Sequence, residues 1–155
     1  MYKRQIKTVS LLPNILAKQA AREAGAYEAW LVDEDGLVTE GSSTNTWIVD
    51  ADGVLRTRDT GANILRGVTR KAVLRLAAEL QIRIEERPFT VAEALDAREA
   101  FITAATAFVT PVTSIDGHAV GSGHPGPMSQ RLRALYLEHA RKGVGDAGPS
   151  GLTPA

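Results

Sequence analysis

Tyr27-Glu28-Ala29-Trp30-Leu31-Val32-Asp33-Glu34-Asp35-Gly36-Leu37-Val38-Thr39-Glu40-Gly41-Ser42-Ser43-Thr44-Asn45 decides the fold. Tyr27 to Asp33 alternates like a strand, and Asp33-Glu34-Asp35-Gly36 has the turn chemistry that sends the chain back through Leu37-Val38-Thr39-Glu40. The Gly/Ser/Thr/Asn stretch 41–45 then leads into a second hairpin, Thr46 to Val49 and Val54 to Thr57, turning at Asp50-Ala51-Asp52-Gly53. Two successive hairpins build an antiparallel sheet.

Helical periodicity flanks the hairpins. Upstream, Leu11, Leu12, Ile15, Leu16, Gln19 and Ala20 predict a helix from about Leu11 to Ala24, with Pro13 in its first turn and Gly25 as its stop. Downstream, Val68, Ala72, Val73, Leu76, Ala77 and Leu80 predict a second amphipathic helix, and Ile82 to Arg87 alternates as a half-buried strand. Thr90-Val91-Ala92-Glu93 is a capping box that opens a short helix to about Asp96. Strands follow at Glu99 to Thr103, Phe108 to Ile115 and His118 to Val120, and then a last helix from about Met128 to Lys142. Gly143 to Ala155 reads as a disordered tail. The expectation is one α+β domain with a mostly antiparallel sheet flanked by helices.

Composition narrows the function. The 155 residues carry 18 Lys+Arg against 18 Asp+Glu, so nothing suggests the basic footprint of a nucleic-acid partner. With no cysteine there is no disulfide framework, thiolate metal site or cysteine nucleophile. The start of the chain lacks a signal peptide's apolar stretch and no run approaches a membrane span, so the expectation is a cytoplasmic protein without a membrane partner. His118, His124 and His139 have no helically spaced partner, so no metal site is expected. Nucleophile-elbow, Walker A and dinucleotide glycine motifs do not occur.

Two places invite chemistry. Leu65-Arg66-Gly67-Val68-Thr69-Arg70 sets a glycine and free N–H groups at a helix start, where orphan donors and the positive dipole end favour an anion such as phosphate. By itself, it reads more simply as a loop-to-helix junction capped by threonine. Thr39-Glu40-Gly41-Ser42-Ser43 sets a carboxylate at a strand end among small residues, and by itself reads as a solvated acid in a polar turn.

Ile6-Lys7-Thr8, Leu11-Leu12-Pro13-Asn14-Ile15-Leu16-Ala17-Lys18, Thr39 to Asn45, Leu65 to Arg70, and Thr110-Pro111-Val112 before Ile115-Asp116-Gly117 occur in this order. The order resembles the class IV aminotransferases, the pyridoxal 5'-phosphate enzymes of fold type IV, across essentially Ile6 to Lys142. Within the family the chain looks most like the D-amino acid aminotransferases. The resemblance implies a curved, barrel-like sheet and assigns 1–142 as the C-terminal cofactor-binding domain. Lys7 matches the lysine that holds the cofactor as a Schiff base and shuttles the substrate proton. Glu40 matches the carboxylate beside the pyridine nitrogen, and Leu65 the residue packed on the ring. Gly67, Val68 and Thr69 match the phosphate-binding helix start. Ala105 stands where the family often has a phosphate-binding threonine, so either the backbone N–H groups of Ala105 and Thr106 do that work or the grip is weaker. Leu12 stands where branched-chain aminotransferases carry a tyrosine.

The family's smaller N-terminal domain supplies arginines and much of the substrate pocket. With Met1 six residues before Lys7, that domain is expected to be absent and activity reduced or lost. The implied reaction moves an amino group from an amino acid, D-alanine or similar, to a 2-oxo acid, in a homodimer. Branched-chain aminotransferase, aminodeoxychorismate lyase and a silent dimerisation or binding domain are the alternatives.

Overall fold

The computed structural model describes residues 12–61, 64 and 67–145, with side chains to residue 141. Helix α1 spans Leu12–Glu23 and is followed by the hairpin of β1, Trp30–Val32, and β2, Val38–Gly41. Asp33 makes the turn: its Oδ1 accepts from the N–H groups of Leu37 at 2.9 Å and Asp35 at 3.2 Å, and Gly36 takes φ 75. The same device recurs between β3, Asn45–Val49, and β4, Leu55–Thr57, where Asp50 Oδ1 accepts from Asp52 and Val54 and Gly53 takes φ 78.

Helix α2, Val68–Glu79, crosses from β4 to β5, Ile84–Glu86. β5 therefore runs parallel to β4, whereas every other pairing is antiparallel. After the short helix α3, Val91–Leu95, come β6, Glu99–Ala104, and β7, Phe108–Val112, giving a five-stranded sheet in the order β5-β4-β3-β6-β7. Both halves of the expected capping box form at Thr90 and Glu93. Pro111 lies in β7, an edge strand with a ladder on one side. The expected Phe108 to Ile115 strand is broken at Thr113, and Ser114–Ile115 becomes β8, which pairs with β9, His118–Ala119.

Helix α4 spans Pro127–Gly145 and so runs three residues into the expected tail; 146–155 lie outside the described residues. The class is α+β with a mixed, mostly antiparallel sheet. Among the described residues the strands form three open sheets of two, five and two strands, not a closed barrel.

Both faces of the five-stranded sheet are covered, so consecutive residues of β3 are buried. Trp47 and Val49 meet Phe101, Val109, Val73 and Leu76 of α2, and Leu132 of α4. Ile48 points the other way, into Val38, Phe89, Ala94, Ala100 and Val120. Trp47 stacks on Phe101 at 5.6 Å and its indole donates to Thr103 Oγ1 at 2.9 Å. The expected apolar face of α1 is different: of its residues only Ala21 is buried, and Leu12, Ile15 and Leu16 are exposed.

Candidate active site

Where β2 ends, the chain turns tightly into β3. Gly41 N–H donates to Thr44 O at 2.7 Å, and a Cβ on Gly41 would lie 2.0 Å from Thr44 Oγ1, so only glycine fits. Glu40, one residue earlier, is 6% exposed, a buried acid and not a solvated one. Glu28 supports the turn from below, accepting from the hydroxyls of Ser42 and Ser43 and pairing with Lys18 at 3.4 Å. Burial pushes the Glu28 carboxyl up, but the Ser42 hydroxyl, the Ala29 N–H and Lys18 together hold it below the usual glutamate range. Asn14 Nδ2 donates to Ser42 O at 3.0 Å and so fixes the first turn of α1 beside this corner.

The start of α2 meets the start of β3. Gly67 is the residue before the helix, with φ −62 and ψ 137, and a Cβ there would lie 2.3 Å from Asn45 Oδ1. No side chain caps the helix, so the threonine-capped junction does not form. Lys71 donates to Gly67 O, and the N–H groups of Val68, Thr69 and Arg70 precede that first helical bond. Val68 is 71% exposed, whereas Thr69 is buried with its hydroxyl 3.5 Å from Tyr136 Oη.

The β6–β7 turn reaches the same rim. Asn45 pairs with Thr103, so the turn at 105–107 stands beside the beginning of β3. Ala105 and Thr106 are exposed there. Glu40, Gly67, Val68, Thr69, Ala105 and Thr106 thus come from three separated segments to one end of the sheet. Lys7 and Leu65 lie outside the described residues.

Sequence reasoning gave no role to three residues that hold this rim. Arg70, 2% exposed, donates to Arg58 O at 2.8 Å and Glu86 Oε2 at 2.7 Å, and lies 5.8 Å from the Trp47 ring. It closes the motif Leu65 to Arg70, and nothing local in the sequence signals its burial. Asn45, packed against Gly67, also stood in a motif, and its fit there is a long-range contact that spacing does not show. Tyr136 is 67 residues from Thr69 and had no local signal.

A cleft of about 490 Å³ lies elsewhere, between the end of α1, β1, and β7 with β8, lined by Ala21, Tyr27, Glu28, Trp30, Thr110 and Val112 among others. None of the expected site residues among those described lines it. The described residues contain no cluster of three or more metal-ligating side chains and no helix long and apolar enough to cross a membrane.

Residues 2–115 match the amino-transferase class IV family. D-alanine aminotransferase of Bacillus licheniformis is 47% identical over 128 residues, covering 83% of this chain and 44% of that protein. A putative branched-chain-amino-acid aminotransferase of Methanocaldococcus jannaschii is 38% identical over 133 residues, 86% of this chain and 46% of that one. Among solved structures, the branched-chain amino acid aminotransferase of Thermobaculum terrenum in its PLP form superposes with a TM-score of 0.85 at 34% identity, over 90% of this chain and 46% of its own. The chain belongs to the class IV aminotransferases. It spans about half the length of the curated relatives it matches.

Proposed function

We propose that this chain is the cofactor-anchoring part of a pyridoxal 5'-phosphate-dependent aminotransferase. The observation that carries the reading is the meeting, at one sheet end, of a buried carboxylate with the helix start at half-buried Gly67 and exposed Val68 and with the exposed turn at 105–106. An acid, a helix start with free N–H groups and an exposed turn suit a ligand with a basic ring nitrogen at one end and a phosphate at the other. Thr44 and Thr46, on either side of Asn45, have buried hydroxyls with no hydrogen-bond partner among the described residues, so this rim also holds unspent polar capacity. When bound, the cofactor supplies an electron-accepting ring for the substrate carbanion.

In this reading Glu40 holds a proton on the ring nitrogen. Gly67, Val68 and Thr69 bind phosphate with their N–H groups, and the Thr69 hydroxyl can accept from Tyr136 while donating its own hydrogen to the phosphate. Ala105 and Thr106 bind it with backbone alone, and Leu65 packs on the ring. Lys7 binds the cofactor aldehyde and carries the proton taken from the substrate α-carbon. Asn14 supports Lys7's part: seven residues span at most about 25 Å, and Asn14 is anchored on Ser42, two residues from Glu40.

The substrates are an amino acid and a 2-oxo acid. The 47% identity to a D-alanine aminotransferase, and Leu12 five residues past Lys7, favour D-amino acids. The solved branched-chain enzyme of Thermobaculum terrenum, with its TM-score of 0.85, supports branched-chain substrates as the second reading. Comparing D-alanine with L-leucine as amino donors to 2-oxoglutarate, in a form with the rest of the family's length, separates the two. We further propose that residues 1–142 act as one cofactor-binding domain of a cytoplasmic homodimer, and that β1–β2 and the five-stranded sheet belong to one curved, barrel-like sheet in the whole protein. Mixing the chain with pyridoxal phosphate is expected to give a lysine-bound absorbance band that Lys7→Ala abolishes; no band refutes the cofactor reading for this chain.

A further inference from the structure

We propose that Arg133 and Tyr136 of α4 are positioning residues that lock the 105–107 turn and the first turn of α2 into one anion-receiving unit. The inference rests on the cofactor reading above and answers how a turn with Ala105 in place of a hydroxyl residue can still grip a phosphate. Backbone N–H groups bind an anion well only when they are held in place, because no side chain can adjust to make up for a drifting turn.

The turn carries the marks of being held. Phe108, which ends it, has φ 55, a left-handed conformation that a bulky side chain adopts only when its surroundings impose it. Arg133 imposes part of it, donating from Nη1 to Val109 O at 2.5 Å and to Ala107 O at 3.4 Å. Thr110 Oγ1 donates to the same Ala107 carbonyl at 2.8 Å. With these carbonyls engaged on the α4 side, the turn is fixed by its acceptors, and Ala105 and Thr106 remain exposed at its tip.

Tyr136, one helical turn beyond Arg133, joins this turn to α2. Its ring lies 5.7 Å from the Phe108 ring, and its hydroxyl lies 3.5 Å from Thr69 Oγ1. One face of α4 therefore touches both segments proposed to hold phosphate, which are 36 residues apart from Thr69 to Ala105. Neither Arg133 nor Tyr136 is placed in contact with cofactor or substrate, so each acts through the backbone it holds.

Two measurements test this. Amide hydrogen exchange at Ala105, Thr106 and Ala107 in the ligand-free chain reads the brace directly: Arg133→Met is expected to speed it about tenfold with exchange in β3 unchanged, and equal rates overturn the brace. Titration with pyridoxal phosphate and with pyridoxal, which lacks the phosphate, reads its consequence. Arg133→Met should weaken pyridoxal phosphate about tenfold and pyridoxal by less than about twofold, with Arg133→Lys recovering part of the loss. Adding Ala105→Thr to Arg133→Met should restore part of the phosphate-specific affinity. Tyr136→Phe, which keeps the ring on Phe108, should cost about threefold toward pyridoxal phosphate only and serves if Arg133→Met does not fold. Equal losses for both ligands overturn the inference. A native chain with no preference for pyridoxal phosphate over pyridoxal overturns the cofactor reading instead, and leaves the exchange experiment to decide the brace.

Discussion

Trp47 in the centre of the five-stranded sheet is completely buried, while Leu12, Ile15 and Leu16 on α1 are 62%, 57% and 58% exposed. Both regions were written with the apolar spacing of a packed element. In the sheet, α2 and α4 cover one face and α3 with the loops around Phe89 and Val120 cover the other. Helix α1 is tied on by polar contacts: Asn14 to Ser42 O, and Lys18 to Tyr27 O at 2.7 Å and to Glu28. Periodicity says which face of an element seeks cover; it does not say that the cover lies within the described residues.

The difference is sharpest in the core. Trp47→Ala removes the ring that stacks on Phe101, lies under Arg70 and donates to Thr103, and is expected to cost about 3–5 kcal/mol in chemical denaturation. If it costs no more than an α1 substitution, the two regions are not distinct in stability.

Arg70→Met comes next. A buried cation at the positive end of a helix persists only because Arg58 O, Glu86 and the Trp47 face compensate it. Its Nε has no partner among the described residues, and Glu86 stays 46% exposed, so removal strands little charge. A loss of about 2–3 kcal/mol is expected, smaller than for Trp47, with the helix start at 67–69 loosened.

Glu28→Gln probes the polar side of the comparison. The native carboxyl titrates below its ordinary value, so Glu28 adds stability above the unfolded-state pKa and loses it as pH falls through the folded one. The variant is expected to be about 1–2 kcal/mol less stable near pH 7, and the two proteins should converge below the ordinary glutamate value of about 4.3. A constant difference across that range contradicts the role given to Glu28. Asp33, lowered mainly by the Leu37 N–H, and Glu93, lowered mainly by Arg87, share the same direction and add to the acid loss of both proteins alike.

What was legible in the sequence was what is local. Asp33 and Asp50 announced both hairpin turns, and Thr90 with Glu93 announced a capping box, because each acts on backbone a few residues away. The parallel placement of β5 was not legible, since it depends on α2 crossing a sheet rather than on the Ile84–Glu86 strand itself. At the candidate site, Glu40 and Gly67 were visible as residue types in motifs. Their neighbours Asn45, Arg70 and Tyr136 were not, because their effect is a contact between distant segments. Thr69 shows the opposite case: the motif offered an open hydroxyl, and packing turned it toward Tyr136.

The smallest expected effect is the most informative about α1. Leu16→Ser on a helix face 58% exposed removes little buried area, so stability should change by no more than about 0.5 kcal/mol. The stripe formed by Leu12, Ile15 and Leu16 at i, i+3 and i+4 is nevertheless continuous along one side of the helix. Substituting all three by serine should therefore improve solubility at high protein concentration while lowering the denaturation midpoint much less than Trp47→Ala does, as measured by light scattering beside a denaturant titration. A midpoint that falls as it does for Trp47→Ala means that this face is covered in solution, and that α1 belongs with the sheet's core after all.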